Sequence, residues 1–437
     1  MDTTRADALS CYGQLAMPAR SNRVTTPNLD AIAAEGARFE HFYANAPSTL
    51  SSHTAMLSGL DQHGHAVVRN GYALHPELPL LPERLAGAGW DTIGVVAAAA
   101  LAADMGLSRG FRVYDDHVPT KRGLMYQDRA DGVVRRALSH VDARSDPAPP
   151  LFLFVHFYDP HTPYEPPQAQ RDAFLDPPYE GQAVAEGEAF KEVVQSARAG
   201  TLHGADIQRI NELYLAEVAY VDEQIGVLID GLEARGLLEH ALLVVTADHG
   251  ETLMDQRGYA WSHGSNVAHE VMWVPLIVRG YGLPLAERAV ISRQASMSSL
   301  APTIERLVGL ERTLGTEPDL VPLLHPGPVH DADGWPDRPT IPVRMEATRP
   351  RSREIEHAWN NLELHRGVFA GGWGAWMCPF KQLPLQFYDE GRVPDSAMLG
   401  TLGGELSRWD AEAPPYRTPE MAPATKAALE ALGYIDD

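Results

Sequence analysis

The stretch VVTADHGET, residues 244–252, ends an apolar run on Asp248, His249 and Gly250. A carboxylate beside an imidazole offers an anionic oxygen and a nitrogen lone pair, a donor set suited to a divalent cation. At the C-terminal end of a buried strand, these side chains would stand where open α/β sheets hold their ligands. The plainer reading is that Asp248 caps a helix and His249 packs beside it. A second run, FVHFYDPHTPYEPP, places His156, Asp159 and His161 where another apolar segment ends, in a Pro-rich loop held extended over a pocket or simply packed. A third, NAPSTLSSHTAMLSGL, sets small hydroxyl residues before Met56, Leu57 and Leu60, the pattern of a helix N-terminus. There a nucleophilic hydroxyl would have its developing charge stabilised, and N-capping by Thr49 or Ser51 is the simpler alternative. His263 lies in a Gly-flanked turn, and Asp2 stands almost at the first residue. Taken together, two carboxylates, three imidazoles and a hydroxyl at element ends are the parts of a metal-assisted ester hydrolase.

The elements that must position these groups are legible as short apolar runs. TIGVV from Thr92, LFLFV from Leu151, ALLVVT from Ala241 and VPLIV from Val274 are continuous rather than alternating, as in strands buried on both faces of a parallel sheet. Between the second and third, Val218, Val221, Ile225, Leu228 and Leu232 recur at steps of three and four, one face of a helix. Pro302 marks the first turn of another helix. The alternation predicts an α/β fold with a large, mainly parallel sheet flanked by helices. Residues 311–353 are rich in Pro, Gly, Asp and His and read as a connector. The expected organisation is a catalytic domain over 1–310, this connector, and a small α+β subdomain over 354–437. Short antiparallel strands around GVFAGGWGAWMCPFKQLPLQFYD and a terminal helix in TPEMAPATKAALEALGYIDD would build the last.

Composition narrows the function. The 437 residues carry a formal charge of -22, which argues against a nucleic-acid partner, because binding phosphates demands basic surface. An anionic substrate must then be met by a metal or by a few His and Arg side chains. Cys11 and Cys378 give no disulfide framework. No apolar run approaches the roughly 18 residues of a transmembrane segment.

With these stretches in hand, the sequence resembles the sulfatase family of the alkaline phosphatase superfamily. DTTRADALSCYG resembles its opening metal-binding segment, and STLSSHTAMLSGL its nucleophile motif. FLFVHFYDPHTPYEPP, YLAEVAYVDEQIG, LLVVTADHGE, HGSNVAHEVMWVPLIV and LEALGYIDD follow in the family's order. The resemblance implies an alkaline phosphatase-like fold, with Asp2, Asp248 and His249 as metal ligands and Thr49 as nucleophile beside the metal. It implies that His161 and His263 hold the ester oxygen and protonate the leaving group. His53 and Asn70 would contact substrate, and Arg5 would support the metal segment. Because the family's first ligand ends its central strand, the resemblance also implies an apolar strand upstream of Asp2. The location would be periplasmic or secreted if a signal peptide precedes that strand.

Departures from the family pattern shape the expected chemistry. One divalent ion is expected, calcium or magnesium by family; Thr3 stands where a second ligand Asp is usual, so the metal loses one anionic oxygen, and with His249 the site leans toward manganese or zinc. His53 stands in place of Arg, and VVAAAALAADMG lacks the usual Lys and His. Thr49 cannot become formylglycine, so none is expected. A threonine alkoxide can still attack phosphorus and form a phospho-threonine that water opens. The expected substrate is a small-molecule or glycan sulfate or phosphate ester. A phosphodiesterase or phosphonate monoester hydrolase is one alternative, and a non-catalytic anion binder is another. Selectivity for the alcohol or sugar is expected in YEGQAVAEGEAFKEVVQSARAG and in the C-terminal region.

Overall fold

Apolar runs bounded by turn residues form the strands of a computed structural model that describes residues 1–13, 23–117, 121–122, 125–126, 128–145, 149–175, 179, 181, 189–254, 260–325, 342–348, 364–370, 373–377, 386–389 and 396–413. In chain order, the elements that build the site and its support begin with α1 (Pro27–Glu35), β1 (Ala37–Phe39), α2 (Thr49–Ser58), β2 (Asp91–Val95) and β3 (Val113–Asp115). They continue with α3 (Ala130–Asp142), β4 (Leu151–Val155), α4 (Gly204–Glu233), β5 (Ala241–Thr246), β6 (Leu276–Tyr281), β7 (Ala289–Ile291) and α5 (Leu300–Leu307).

These strands form two sheets. One has the order β3-β2-β4 and is wholly parallel, with Asp91 opposite Leu151 and Val95 opposite Val155. The other has the order β7-β1-β6-β5 and is mixed: β1 runs parallel to β7, whereas β6 is antiparallel to both neighbours. The α/β class therefore holds, and the parallel pattern belongs to the first sheet. The reason lies between β5 and β6, whose described residues form only a four-residue helix, His269–Met272, and no crossover helix. The chain doubles back, setting Ala241 opposite Tyr281 and Thr246 opposite Leu276. The β6 ladder begins at Leu276 and not at Val274, because Pro275 has no N–H to give.

The first two residues join the sheets. Asp2 N–H donates to Phe157 O at 2.9 Å, just beyond β4. The Met1 amine donates to Thr246 O at 3.1 Å, and Asp248 N–H donates to Met1 O at 3.2 Å, just beyond β5. The segment starting at Asp2 is thus held between the C-terminal ends of two strands, one from each sheet.

Helix α4 supports this junction. Its expected inner face, Val218, Val221, Ile225, Leu228 and Leu232, is buried throughout, each side chain contributing about 1.5–3 kcal/mol. Asp206 in its first turn opposes the positive end of the helix dipole. Nearer that end, Tyr214 Oη donates to Thr3 O at 2.9 Å and accepts Arg5 N–H at 3.0 Å, which ties the helix to the opening segment. Pro302 falls in the first turn of α5, as its position predicts.

The C-terminal sheet begins inside the expected connector. Val343–Thr348 is a strand, with Val343, Met345 and Ala347 buried on one face and Glu346 buried on the other, ion-paired with Arg366. It pairs antiparallel with Leu364–Ala370, which continues to Trp373–Met377 and Gln386–Asp389, so the aromatic-rich segments are antiparallel strands. Helix Ser396–Ala411 covers this sheet through Leu402, Leu406 and Trp409. The terminal helix expected within 418–437, Cys378, and residues 326–341 and 349–353 of the connector lie outside the described residues. Among the described residues no helix is long and apolar enough to cross a membrane.

One buried group outside the active-site region makes stability depend on pH. Burial pushes the His65 imidazole down to about 3, with Glu346 opposing and His63 adding to the shift. The unfolded chain therefore binds this proton more readily than the folded one. The stability contribution is full above the ordinary value of about 6.5 and falls as pH drops from there toward 3. Urea unfolding at stepped pH is expected to show a loss of up to about 1.4 kcal/mol per unit from this group. The slope should be shallower in His65→Asn; an unchanged slope would show that His65 does not set it.

Candidate active site

Each site side chain stands where a regular element stops. His156 follows β4 directly, and its N–H continues the parallel ladder to Val95 O at 2.9 Å. Asp248 and His249 follow β5 by two residues. Asp2 lies between them on the junction described above, and all four side chains are buried.

Thr49 opens α2. Ser48 is the N-cap residue, yet the cap is not made in the usual local way: Asn70 Oδ1 accepts the Leu50 N–H at 2.8 Å and the Ser48 hydroxyl at 3.1 Å. Ser48 Oγ in turn accepts Asn70 N–H at 3.0 Å. Thr49 therefore does not serve as a cap, and its buried Oγ1 has no hydrogen-bond partner among the described residues. Ser51 donates to Val67 O instead. At the other end Gly59 closes the helix at φ 75, a left-handed conformation, and a Cβ there would lie 2.8 Å from Gly315 Cα.

The first turn of α2 docks onto Asp248. Ser52 Oγ donates to Asp248 O at 2.6 Å, and His53 Nδ1 lies 3.8 Å from Asp248 Oδ2. Asp248 Oδ1 accepts N–H groups from His249 at 2.8 Å and Thr3 at 3.2 Å, while Oδ2 faces His249 Nε2 at 3.4 Å. Asp2 Oδ1 is 3.9 Å from His249 Nε2, and Asp2 Oδ2 is 3.4 Å from His156 Nε2. Neither Asp2 oxygen, nor Asp248 Oδ2, His249 Nε2 or His156 Nε2, has a hydrogen-bond partner among the described residues. Leaving such groups buried and unmatched costs about 1–3 kcal/mol each, and more when charged. Converging carboxylate oxygens and an imidazole nitrogen fit a divalent cation, so Asp2, Asp248 and His249 are a suitable ligand set. His249 Nδ1 donates to Gly250 O at 3.0 Å, which leaves the Nε2 lone pair toward the carboxylates.

His161 and His263 lie beside this group. Their rings are 4.8 Å apart, and His263 is 4.6 Å from the His249 ring. His161 stacks on Tyr158 at 4.4 Å and donates through Nδ1 to Thr162 O at 2.7 Å, so Nδ1 carries the hydrogen and Nε2 the lone pair. Burial pushes His53, His156, His161 and His263 down to about 3, holding each imidazole neutral. Burial acts the same way on His249, but Asp248 and Asp2 outweigh it and leave that group raised.

The structure brings Asp2, Asp248, His249, His53, His161 and His263 together and gives Asn70 a positioning task. Asp159 belongs elsewhere, accepting Ala130 N–H at 2.9 Å as the cap of α3. Arg5 forms a salt bridge with Asp7 at 2.7 Å and reaches Glu251 O. Glu251 was not anticipated from sequence: its carboxyl lies 3.3 Å from His263 Nδ1, and burial pushes it up to about 8. Its place two residues after His249, at the same strand end, was the available signal.

Two helix-flanked sheets meeting at a strand-end site constitute an alkaline phosphatase-like fold. The chain belongs to the sulfatase family, whose profile, Sulfatase, matches residues 1–310. It is similar to an arylsulfatase of Clostridium perfringens, 23% identical over 313 residues, which covers 59% of this chain and 63% of that protein's length. An N-acetylglucosamine-6-O-sulfatase of Bacteroides thetaiotaomicron is 22% identical over 387 residues, 71% of this chain and 67% of that one. Among solved structures, the phosphonate monoester hydrolase of Agrobacterium radiobacter superposes with a TM-score of 0.69 at 21% identity, covering 94% of both chains.

Proposed function

We propose that this protein hydrolyses an ester of phosphorus or sulfur through Thr49, with phosphodiesters and phosphonate monoesters favoured over sulfate esters. The observation that carries the reading is Thr49 Oγ1, buried at a helix N-terminus, without a hydrogen-bond partner among the described residues, on the turn that docks against Asp248. Thr49 cannot give the aldehyde hydrate that expels sulfate, and this favours phosphorus. The similarity to an N-acetylglucosamine-6-O-sulfatase supports a small-molecule or glycan ester as the substrate class.

Asp2, Asp248 and His249 would hold a divalent ion, which when bound supplies positive charge that eases ionisation of the Thr49 hydroxyl. Thr49 Oγ attacks the central atom, and the bond to the leaving oxygen breaks. The proton released by Thr49 is the one the leaving oxygen needs. His161 and His263, neutral at rest, relay it, with the Nε2 lone pair of His161 as the accepting atom. The N-terminus of α2 favours the charge that develops near Thr49. In the second step water displaces Thr49, and the same pair takes the water proton and returns one to Thr49.

The test is turnover of nitrophenyl sulfate, phosphate, phosphodiester and phosphonate by protein loaded separately with calcium, magnesium, manganese and zinc. Phosphorus esters are expected to turn over fastest, with manganese or zinc. Faster sulfate hydrolysis would overturn the phosphorus preference, and no turnover with any ion would overturn the enzymatic reading.

A further inference from the structure

Beyond Asp2, Asp248 and His249, the buried pocket holds a second cluster that shares one ligand with the first. His53, His156 and Asp248 each place a donor atom within 4.8 Å of the others'. Both carboxylates face two ways: Asp248 Oδ2 lies 3.4 Å from His249 Nε2 on one side and 3.8 Å from His53 Nδ1 on the other. Asp2 lies 3.9 Å from His249 Nε2 through Oδ1 and 3.4 Å from His156 Nε2 through Oδ2.

We propose that His53, His156 and Asp248 form a second divalent-cation site, joined to the first through the shared carboxylate of Asp248. The proposal rests on the first site as read above. Two imidazoles and a carboxylate favour an ion of borderline softness, such as zinc, over calcium or magnesium, which take oxygen ligands.

The local bonding shows what each ring gives up to bind an ion. His53 Nδ1, the nitrogen that faces Asp248, lies 2.7 Å from Thr49 O, and a carbonyl only accepts, so Nδ1 carries a hydrogen here and ligation through it asks His53 to release that bond. His53 and His156 meet edge to face with ring centres 5.0 Å apart. His156 Nε2 and Asp248 Oδ2 have no hydrogen-bond partner among the described residues. Ligation through Nε2 asks His156 to give up the Ala97 N–H approach to Nδ1, which at 3.5 Å is the outer limit of a hydrogen bond. The i, i+4 relation of Thr49 and His53 puts both on one face of α2, so a second ion would sit on the face that presents the nucleophile. Paired ions sharing a carboxylate clamp the attacking and leaving oxygens of a displacement.

The experiment counts metal. Full-length protein is stripped with chelator, titrated with zinc by calorimetry, and measured for bound zinc after dialysis. A parallel manganese titration is followed by electron paramagnetic resonance. About two equivalents are expected, with the spectrum of a spin-coupled manganese pair. His53→Gln and His156→Gln should each retain one equivalent and give the hyperfine pattern of an isolated ion, with circular dichroism unchanged. One equivalent in the wild type, with an isolated-ion spectrum, would overturn the second site and leave the first standing. No bound metal would overturn both. Two equivalents surviving in both variants would also overturn the assignment. If a variant does not fold, the wild-type count and spectrum decide.

Discussion

Thr49→Ala is expected to lower kcat/KM on the protein's best ester by on the order of 10^4-fold or more, the scale on which losing a nucleophile costs other hydrolases. Its stability should change little. The Thr49 hydroxyl makes no hydrogen bond to any described residue, so removing it breaks none, and the lost methyl group costs about 1 kcal/mol. A large loss of activity with a midpoint of unfolding close to wild type separates a reacting group from a packing one. Thr49→Ser keeps the hydroxyl and should keep most of the rate. Retention of activity in the alanine variant would show that another group, or water itself, attacks the ester. Mass spectrometry after rapid quench supplies a second readout: the wild type should carry a phosphoryl or sulfuryl group on Thr49, and the alanine variant none.

Asp248→Asn should be nearly as damaging to activity, for a different reason, and its effect on stability should have the opposite sign in metal-free protein. The amide oxygen can still accept the N–H groups of Thr3 and His249 that Oδ1 accepts now, so the local backbone is preserved. What is lost is a negative charge in a buried pocket that also holds Asp2. Without a cation, the wild type keeps two carboxylates close together with oxygens that lack hydrogen-bond partners among the described residues, so the asparagine protein should be equally or more resistant to denaturant. With a cation the order reverses. A ligand that binds only the folded state at 100 times its Kd stabilises by about 2.7 kcal/mol. Added zinc or manganese should therefore raise the wild-type Tm and leave that of Asp248→Asn nearly flat. An equal rise in both would remove Asp248 from the ligand set.

Much of this arrangement was legible in the sequence. The ALLVVT run ending in Asp248 and His249, the hydroxyl-rich start of α2, and the three- and four-residue steps from Val218 to Leu232 each carry a local periodicity or an end signal, and each forms the expected element. The antiparallel course of β6 was not legible, because the same continuous apolar run suits a strand of either direction; direction is decided by the connection. The meeting of His53, His156 and Asp248 was not legible either. His53 and His156 come from the nucleophile helix and from the end of β4, and no spacing rule links them. Asn70 is a substrate contact by resemblance, and its cap on Leu50 was not legible, because a polar residue in a loop gives no sign of which backbone it will cap, here one 20 residues away.

That remote cap bears on how the reactive segment can be moved between proteins. The orientation of Thr49 is decided jointly by its own helix and by a loop that returns much later in the chain, so the stretch from Ser48 to Ser58 is not a portable unit. Grafted alone into another scaffold, it would bring a threonine whose helix start is frayed, with the Leu50 N–H and the Ser48 hydroxyl both seeking water. A transplant that also carries Arg69, Asn70 and Gly71 in their present register would bring the lock along with the key.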